Sequence, residues 1–113
     1  MPARAAAAAD AAAILVFATL GLLEHEGRLS AAGYARTAFP FLAGWFAVAL
    51  LMGLYRRPSL WRFAATWAGG VAAGLALRGL LVGGAPAPAF VVVALASVAA
   101  LTGGWRVVAR AVR

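Results

Sequence analysis

The sequence predicts an all-α integral membrane protein: a single domain, 1–113, built as a four-helix bundle with both termini on the cytoplasmic side. Three observations lead there. Hydrophobic residues make up 65% of the 113 and charged residues only 12%, with a mean hydropathy of +0.94. Soluble domains carry about a quarter charged residues, so polar groups are too few to cover so short a chain and lipid must do the covering. The apolar residues fall into four runs of roughly 17–20, each enough to cross a hydrocarbon layer of about 30 Å as a helix. All ten basic residues are arginines, and most flank those runs. The runs lack the alternation of strands, and a closed barrel needs more of them.

The first helix is expected over about 5–23, rich in alanine and holding Asp10. Arg4 ahead of an apolar stretch resembles a secretory signal. However, "GLLEHEGR" stands where a small-x-small cleavage site belongs, so the segment reads as a retained helix. The loop "EHEGRLSAAGYART" (24–37) is the one substantial connection. The second helix, about 38–55, is uncharged and has Pro40 in its first turn, where a missing N–H costs little. In "RRPSLWR" (56–62), Pro58 breaks the chain and Ser59 is an N-cap for the third helix, about 63–82, which holds Arg78. "GGAPAP" (83–88) is short, so the third helix and the fourth, about 89–105, form an antiparallel hairpin.

Four spans put the termini and the 56–62 loop on one side, with Arg4, Arg56, Arg57, Arg62, Arg106, Arg110 and Arg113. The other side holds Arg28 and Arg36, offset by Glu24 and Glu26. The positive-inside rule makes the arginine-rich side cytoplasmic and the protein a multi-pass protein of the cell membrane. Tyr55, Trp61 and Trp105 then fall at the inner interface and Tyr34 near the outer one. The same rule accounts for the net charge of +7 and pI near 11.8, so no nucleic-acid partner is expected.

Thr66, Gly70, Gly74 and Arg78 recur every four residues and share a face of the third helix. Small residues at that spacing let helix backbones approach closely in lipid. Gly44 in the second helix and Ala96, Ala100 and Gly104 in the fourth are packing candidates of the same kind. Arg78 costs about 2.5–3.5 kcal/mol to insert, while Phe63, Val71, Leu75, Leu77, Leu80, Leu81 and Val82 return about 0.3–0.6 each. The third helix is therefore marginal alone, helped by the off-centre position of Arg78 and by its hairpin partner.

At 1.5 Å per residue, Arg78 lies about 22 Å along its helix, near the outer boundary, and about 15 Å from the depth of Asp10. A direct Asp10–Arg78 bridge is disfavoured. Asp10, Ile14, Phe17, Gly21 and Glu24 lie in one stripe of the first helix. If that stripe faces inward, Glu24 reaches the level of Arg78, and Asp10 that of Arg106, Arg62 or Arg57. Two other fates stay open: Arg78 snorkelling to headgroups, and Asp10 hydrated at the helix N-terminus.

Other chemistry finds little support. Without cysteine no thiolate or disulfide can form. His25 between Glu24 and Glu26 lacks a second cluster to complete a metal shell, and no cofactor is expected. Ser97 lies far from His25, Ser59 is on the other side, and no Gly-x-Ser-x-Gly occurs, so an enzyme is not expected.

Further landmarks run along the chain: Asp10 opening an apolar helix, "EGR" (26–28), "PFLAGW" (40–45), "GLALRG" (74–79), "AFVVVALAS" (89–97) and "GWR" (104–106). Together they resemble a family of small prokaryotic membrane proteins known as domain of unknown function 3054, over nearly the whole chain. The resemblance implies a multi-spanning membrane protein of bacteria or archaea. It draws attention to Asp10, Pro40, Gly44, Trp45, Gly74, Arg78, Trp105 and Arg106 without assigning them chemistry. His25 ahead of Gly27–Arg28 departs from the family pattern, and no role is carried over to it.

Two functions follow as expectations. One is a small transporter or channel for a solute, ion or proton, oligomeric because four short helices enclose little volume. The other is a structural or assembly subunit whose small-residue stripes dock other membrane helices. The expected partners are the lipid bilayer and either further copies or other membrane proteins.

Overall fold

The computed structural model describes residues 2–112. Its four helices are α1 (Ala3–Glu26), α2 (Ala31–Met52), α3 (Leu60–Val82) and α4 (Pro88–Ala111), with no strand among the described residues. All four are long and apolar enough to cross a membrane. The molecule extends 40 × 25 × 23 Å, and its long axis compares with the roughly 40–45 Å of a bilayer with its headgroups. It is a four-helix bundle of a multi-pass membrane protein.

α1, α3 and α4 run past their expected bounds, whereas α2 starts early and ends at Met52 rather than 55, closed by the left-handed Gly53, because local capping fixes the ends more tightly than hydropathy does. The largest correction is at α2, which begins at Ala31 rather than 38. Ser30 is extended, and its hydroxyl accepts from the Gly33 amide at 3.0 Å, which satisfies an otherwise orphan donor. Gly27, left-handed at φ 70°, donates back to the Leu22 and Leu23 carbonyls and closes α1. The expected fourteen-residue loop thus shrinks to 27–30. Pro40 consequently lies inside α2, not in its first turn. It leaves the Arg36 carbonyl without its usual donor, and it is fully buried. Ser59 caps α3 as its position suggests, accepting from the Arg62 amide at 3.2 Å. Pro88 opens α4 at its first position after a five-residue turn.

The closest packing joins α2 to α3. A Cβ on Gly44 would lie 2.6 Å from the Gly74 nitrogen and 2.7 Å from the Gly70 carbonyl oxygen. One on Gly70 would lie 3.0 Å from the Trp45 Cα, and one on Gly74 2.6 Å from a Phe41 ring carbon. Backbone meets backbone along this seam, which only glycine permits. Ile14, Phe17, Phe41, Trp45, Val71 and Val98 fill the centre, with Phe17 edge-on to Phe41 at 5.2 Å. The core is dry and closed. Leu50, Leu51 and Leu80 point outward, as residues facing lipid should.

The α4 stripe differs from expectation. Ala94, Val98 and Thr102 are the buried residues of α4, whereas Ala96 and Ala100 are exposed and nothing lies within 4 Å of a Cβ on Gly104. Branched Val98 and hydroxyl-bearing Thr102 fill the interior better than alanine would, so the small-residue stripe is turned away from the bundle.

Candidate functional site

Asp10 is fully buried one third of the way along α1. A carboxylate there needs donors for both oxygens, and two segments supply them, α4 and the turn that follows α2. Arg106 of α4 donates from Nη1 to Oδ1 at 2.6 Å and from Nη2 to Oδ2 at 2.8 Å, the two-pronged geometry to which guanidinium is suited. Trp105 Nε1 donates to Oδ1 at 2.9 Å, and Tyr55 Oη donates to Oδ2 at 2.7 Å. The Tyr55 oxygen in turn accepts from Trp45 Nε1 of α2 at 2.9 Å. Four donors meet one carboxylate, about its full acceptor capacity.

Local structure delivers each partner. Gly53, left-handed at φ 68°, ends α2, and the Leu54 amide bonds back to the Ala49 carbonyl, which tucks buried Leu54 under the bundle and leads Tyr55 to Asp10. Thr102, one turn before Arg106, accepts from its Nη1 through the main-chain carbonyl at 3.0 Å. The Arg106 guanidinium also lies 4.9 Å from the Phe63 ring centre and 4.4 Å from that of Trp105, so cation–π attraction adds to its positioning. Burial, and then the acceptor it finds in Asp10, hold the Tyr55 hydroxyl well above the usual phenol range. It stays a donor at any physiological pH.

Of the three arginines expected at the level of Asp10, the structure brings only Arg106 to it. Arg62 instead donates from Nε to the Met52 carbonyl at 3.1 Å and from Nη1 to the Arg57 carbonyl at 3.2 Å, pinning the 53–59 turn. Arg78 lies at the other end of the bundle, 4.7 Å from the Phe90 ring centre. Glu24 does not reach it. The ion pairs among the described residues are Asp10–Arg106 and an exposed Glu26–Arg36 contact at 3.2 Å. The last turn of α1, Leu23 to Glu26, is exposed beyond the core, and Leu22 takes the inward position. Of the expected stack of two charge clusters, only the one at the arginine-rich end is formed.

Sequence reasoning missed Tyr55 and Trp105 as partners of Asp10, and Trp45 as the donor that holds Tyr55. Tyr55 and Trp105 were expected to mark the interface, and aromatic residues at span ends carry that reading by default. The signal that could have found them is arithmetic: a lone buried carboxylate needs several donors, and these rings carry the N–H and O–H groups nearest its depth.

Beside the cluster lies an open cleft of about 560 Å³. Arg106, Trp105 and Tyr55 form its polar wall, Arg110 its rim, and Leu60 and Phe63 part of its apolar side. The Arg106 side chain remains 23% exposed. Its Nε–H and one Nη2 hydrogen have no partner among the described residues and are open to a ligand.

Helices, core and buried ion pair together define a polytopic membrane four-helix bundle with a charged cluster at one end. The family described as "Protein of unknown function (DUF3054)" matches residues 7–109, and the chain belongs to that family. No curated protein and no solved structure matches the chain.

Proposed function

We propose that the protein is a small membrane transporter that admits an ionic or polar solute at the arginine-rich end, which faces the cytoplasm at the cell membrane. The observation that carries this reading is the 560 Å³ cleft beside a guanidinium with free donors. The core of a single chain is dry and packed, so a path across the membrane requires more than one copy. Asp10 serves as the brace that holds Arg106 at the cleft, not as a proton carrier, because its acceptor positions are filled. The reading is non-enzymatic: Ser59 is engaged as an N-cap at one end, while His25 lies against Phe90 at the other, ring centres 6.3 Å apart.

The test is reconstitution into proteoliposomes with an ion, proton and organic-anion flux screen. Flux that falls at least tenfold in Arg110→Gln, with the protein still folded, supports the reading. Absence of flux under every gradient rejects it.

A second reading, an assembly subunit, is favoured by the outward face of Ala96, Ala100 and Gly104. Gly70 and Gly74 are occupied against α2 and leave that role to α4. The reading predicts a stable complex with another membrane protein that dissociates in Ala100→Leu. Purification of the native protein in mild detergent without a co-purifying partner would count against it.

A further inference from the structure

The cleft has a composition more specific than its size. Arg106 offers two free N–H donors, and Arg110, one helical turn further on, is exposed at the rim. The wall opposite begins at Ala3 and at Ser59–Leu60, the starts of α1 and α3. Neither first turn carries an acidic residue, and α1 has no side-chain cap. The potential at that end is strongly positive: Arg4, Arg56, Arg57, Arg62, Arg106 and Arg110 face a single described carboxylate, Asp10, which is already paired. The remaining lining is apolar, from Ala6 and Leu54 through Leu60 and Phe63 to Val107.

A polar anion alone would leave that apolar wall wet, and an uncharged amphiphile would leave the arginine donors unanswered. Guanidinium groups match the oxygens of a phosphate in two-pronged fashion and suit it better than an ammonium group does. We propose that the cleft binds a phosphomonoester amphiphile. Its phosphoryl oxygens sit on Arg106 and Arg110, and its hydrocarbon lies along Leu60, Phe63 and Val107. The ligand is either a membrane lipid with a terminal phosphate or a soluble alkyl phosphate, since both present the same chemistry. This inference rests on the cleft that carries the transport reading and gives it a ligand class. Binding without flux removes the transport reading alone, and flux without this binding removes the inference alone.

The experiment titrates the full chain in an uncharged maltoside detergent, followed by tryptophan emission (Trp105 lines the cleft) and by native mass spectrometry. The probes are dodecyl phosphate, phosphatidic acid, inorganic phosphate and phosphatidylcholine. The expected result is saturable one-to-one binding of the first two. Inorganic phosphate and phosphatidylcholine bind at least tenfold more weakly.

Arg110→Gln, outside the Asp10 cluster, weakens dodecyl phosphate binding about tenfold, the loss expected for one charge-assisted contact. Val107→Glu, at an exposed position lining the cleft, abolishes it. Saturation by phosphatidic acid but not dodecyl phosphate identifies the lipid as the source, and the reverse identifies a soluble ligand. Equal affinity for phosphatidylcholine, equal affinity for inorganic phosphate, or binding unchanged in both variants would overturn the proposal.

Discussion

Asp10 shows how one charged residue is tolerated in a helix that otherwise reads as a membrane span. Its desolvation is offset by an arginine in two-pronged contact and by two aromatic N–H and O–H donors. Removing one member of such a buried pair leaves the other uncompensated and typically costs about 3–5 kcal/mol. Asp10→Ala should therefore lower the unfolding midpoint in detergent far more than Glu24→Ala, whose side chain is exposed; equal effects of the two substitutions would contradict the brace.

Tyr55 makes a pH prediction. Its raised pKa in the fold against an unfolded value of about 10 means that the folded state keeps a proton which the unfolded state gives up. That contribution is fully present below pH 10 and is lost as the pH climbs above it. The thermal unfolding midpoint of the native protein should hold up to about pH 10 and decline progressively above it. The Tyr55→Phe variant, less stable at pH 8, should decline less.

At the scale of elements, the seam between α2 and α3 is the most demanding part of the bundle. Gly44→Leu places a branched side chain where even a Cβ would sit 2.6 Å from backbone. It should prevent α2 and α3 from packing, giving aggregated protein on size-exclusion chromatography. Ala100→Leu, on the outward face of α4, should leave the monomer's unfolding free energy within about 0.5 kcal/mol of the native value.

The existence and order of all four helices were legible because 17–20-residue apolar runs have few alternative fates. Their ends were less so. The Ser30 cap lies inside a stretch whose polar residues read as loop, and Pro40 reads as a helix start although it lies well inside one. The α4 stripe shows a further limit. Spacing identifies a small-residue face, but which way a helix turns depends on volumes elsewhere in the core, here on Val98 and Thr102 being larger than Ala96 and Ala100.

At the scale of the molecule, the division between an arginine-rich end and a nearly balanced one is visible in the arginine positions alone, and the fold gathers Arg4, Arg56, Arg57, Arg62, Arg106 and Arg110 at one end, Arg113 lying outside the described residues. The pairing was only half visible. Depth along the helices rightly kept Asp10 from Arg78, but it could not choose among Arg106, Arg62 and Arg57. The carbonyls of Met52, at the end of α2, and of Arg57, in the turn after it, remove Arg62 from that choice by engaging its guanidinium. Depth matches Glu24 to Arg78 as well, and His25 beside it does pack against the Phe90 ring that Arg78 covers, yet the Glu24 side chain is exposed and makes no ion pair with Arg78. Depth fixes which residues share a level; the direction of each side chain needs the packed bundle.

The central claim is that the Asp10–Arg106 pair locks α1 to α4 and holds Arg106 at the cleft. A double-mutant cycle measures it directly: unfolding free energies in detergent of the native protein, Asp10→Asn, Arg106→Gln and the double variant. Residues in direct contact within a buried network couple by about 0.5–3 kcal/mol, and this pair should fall in the upper half of that range. Effects that add within about 0.3–0.5 kcal/mol, as those of independent sites do, would contradict it.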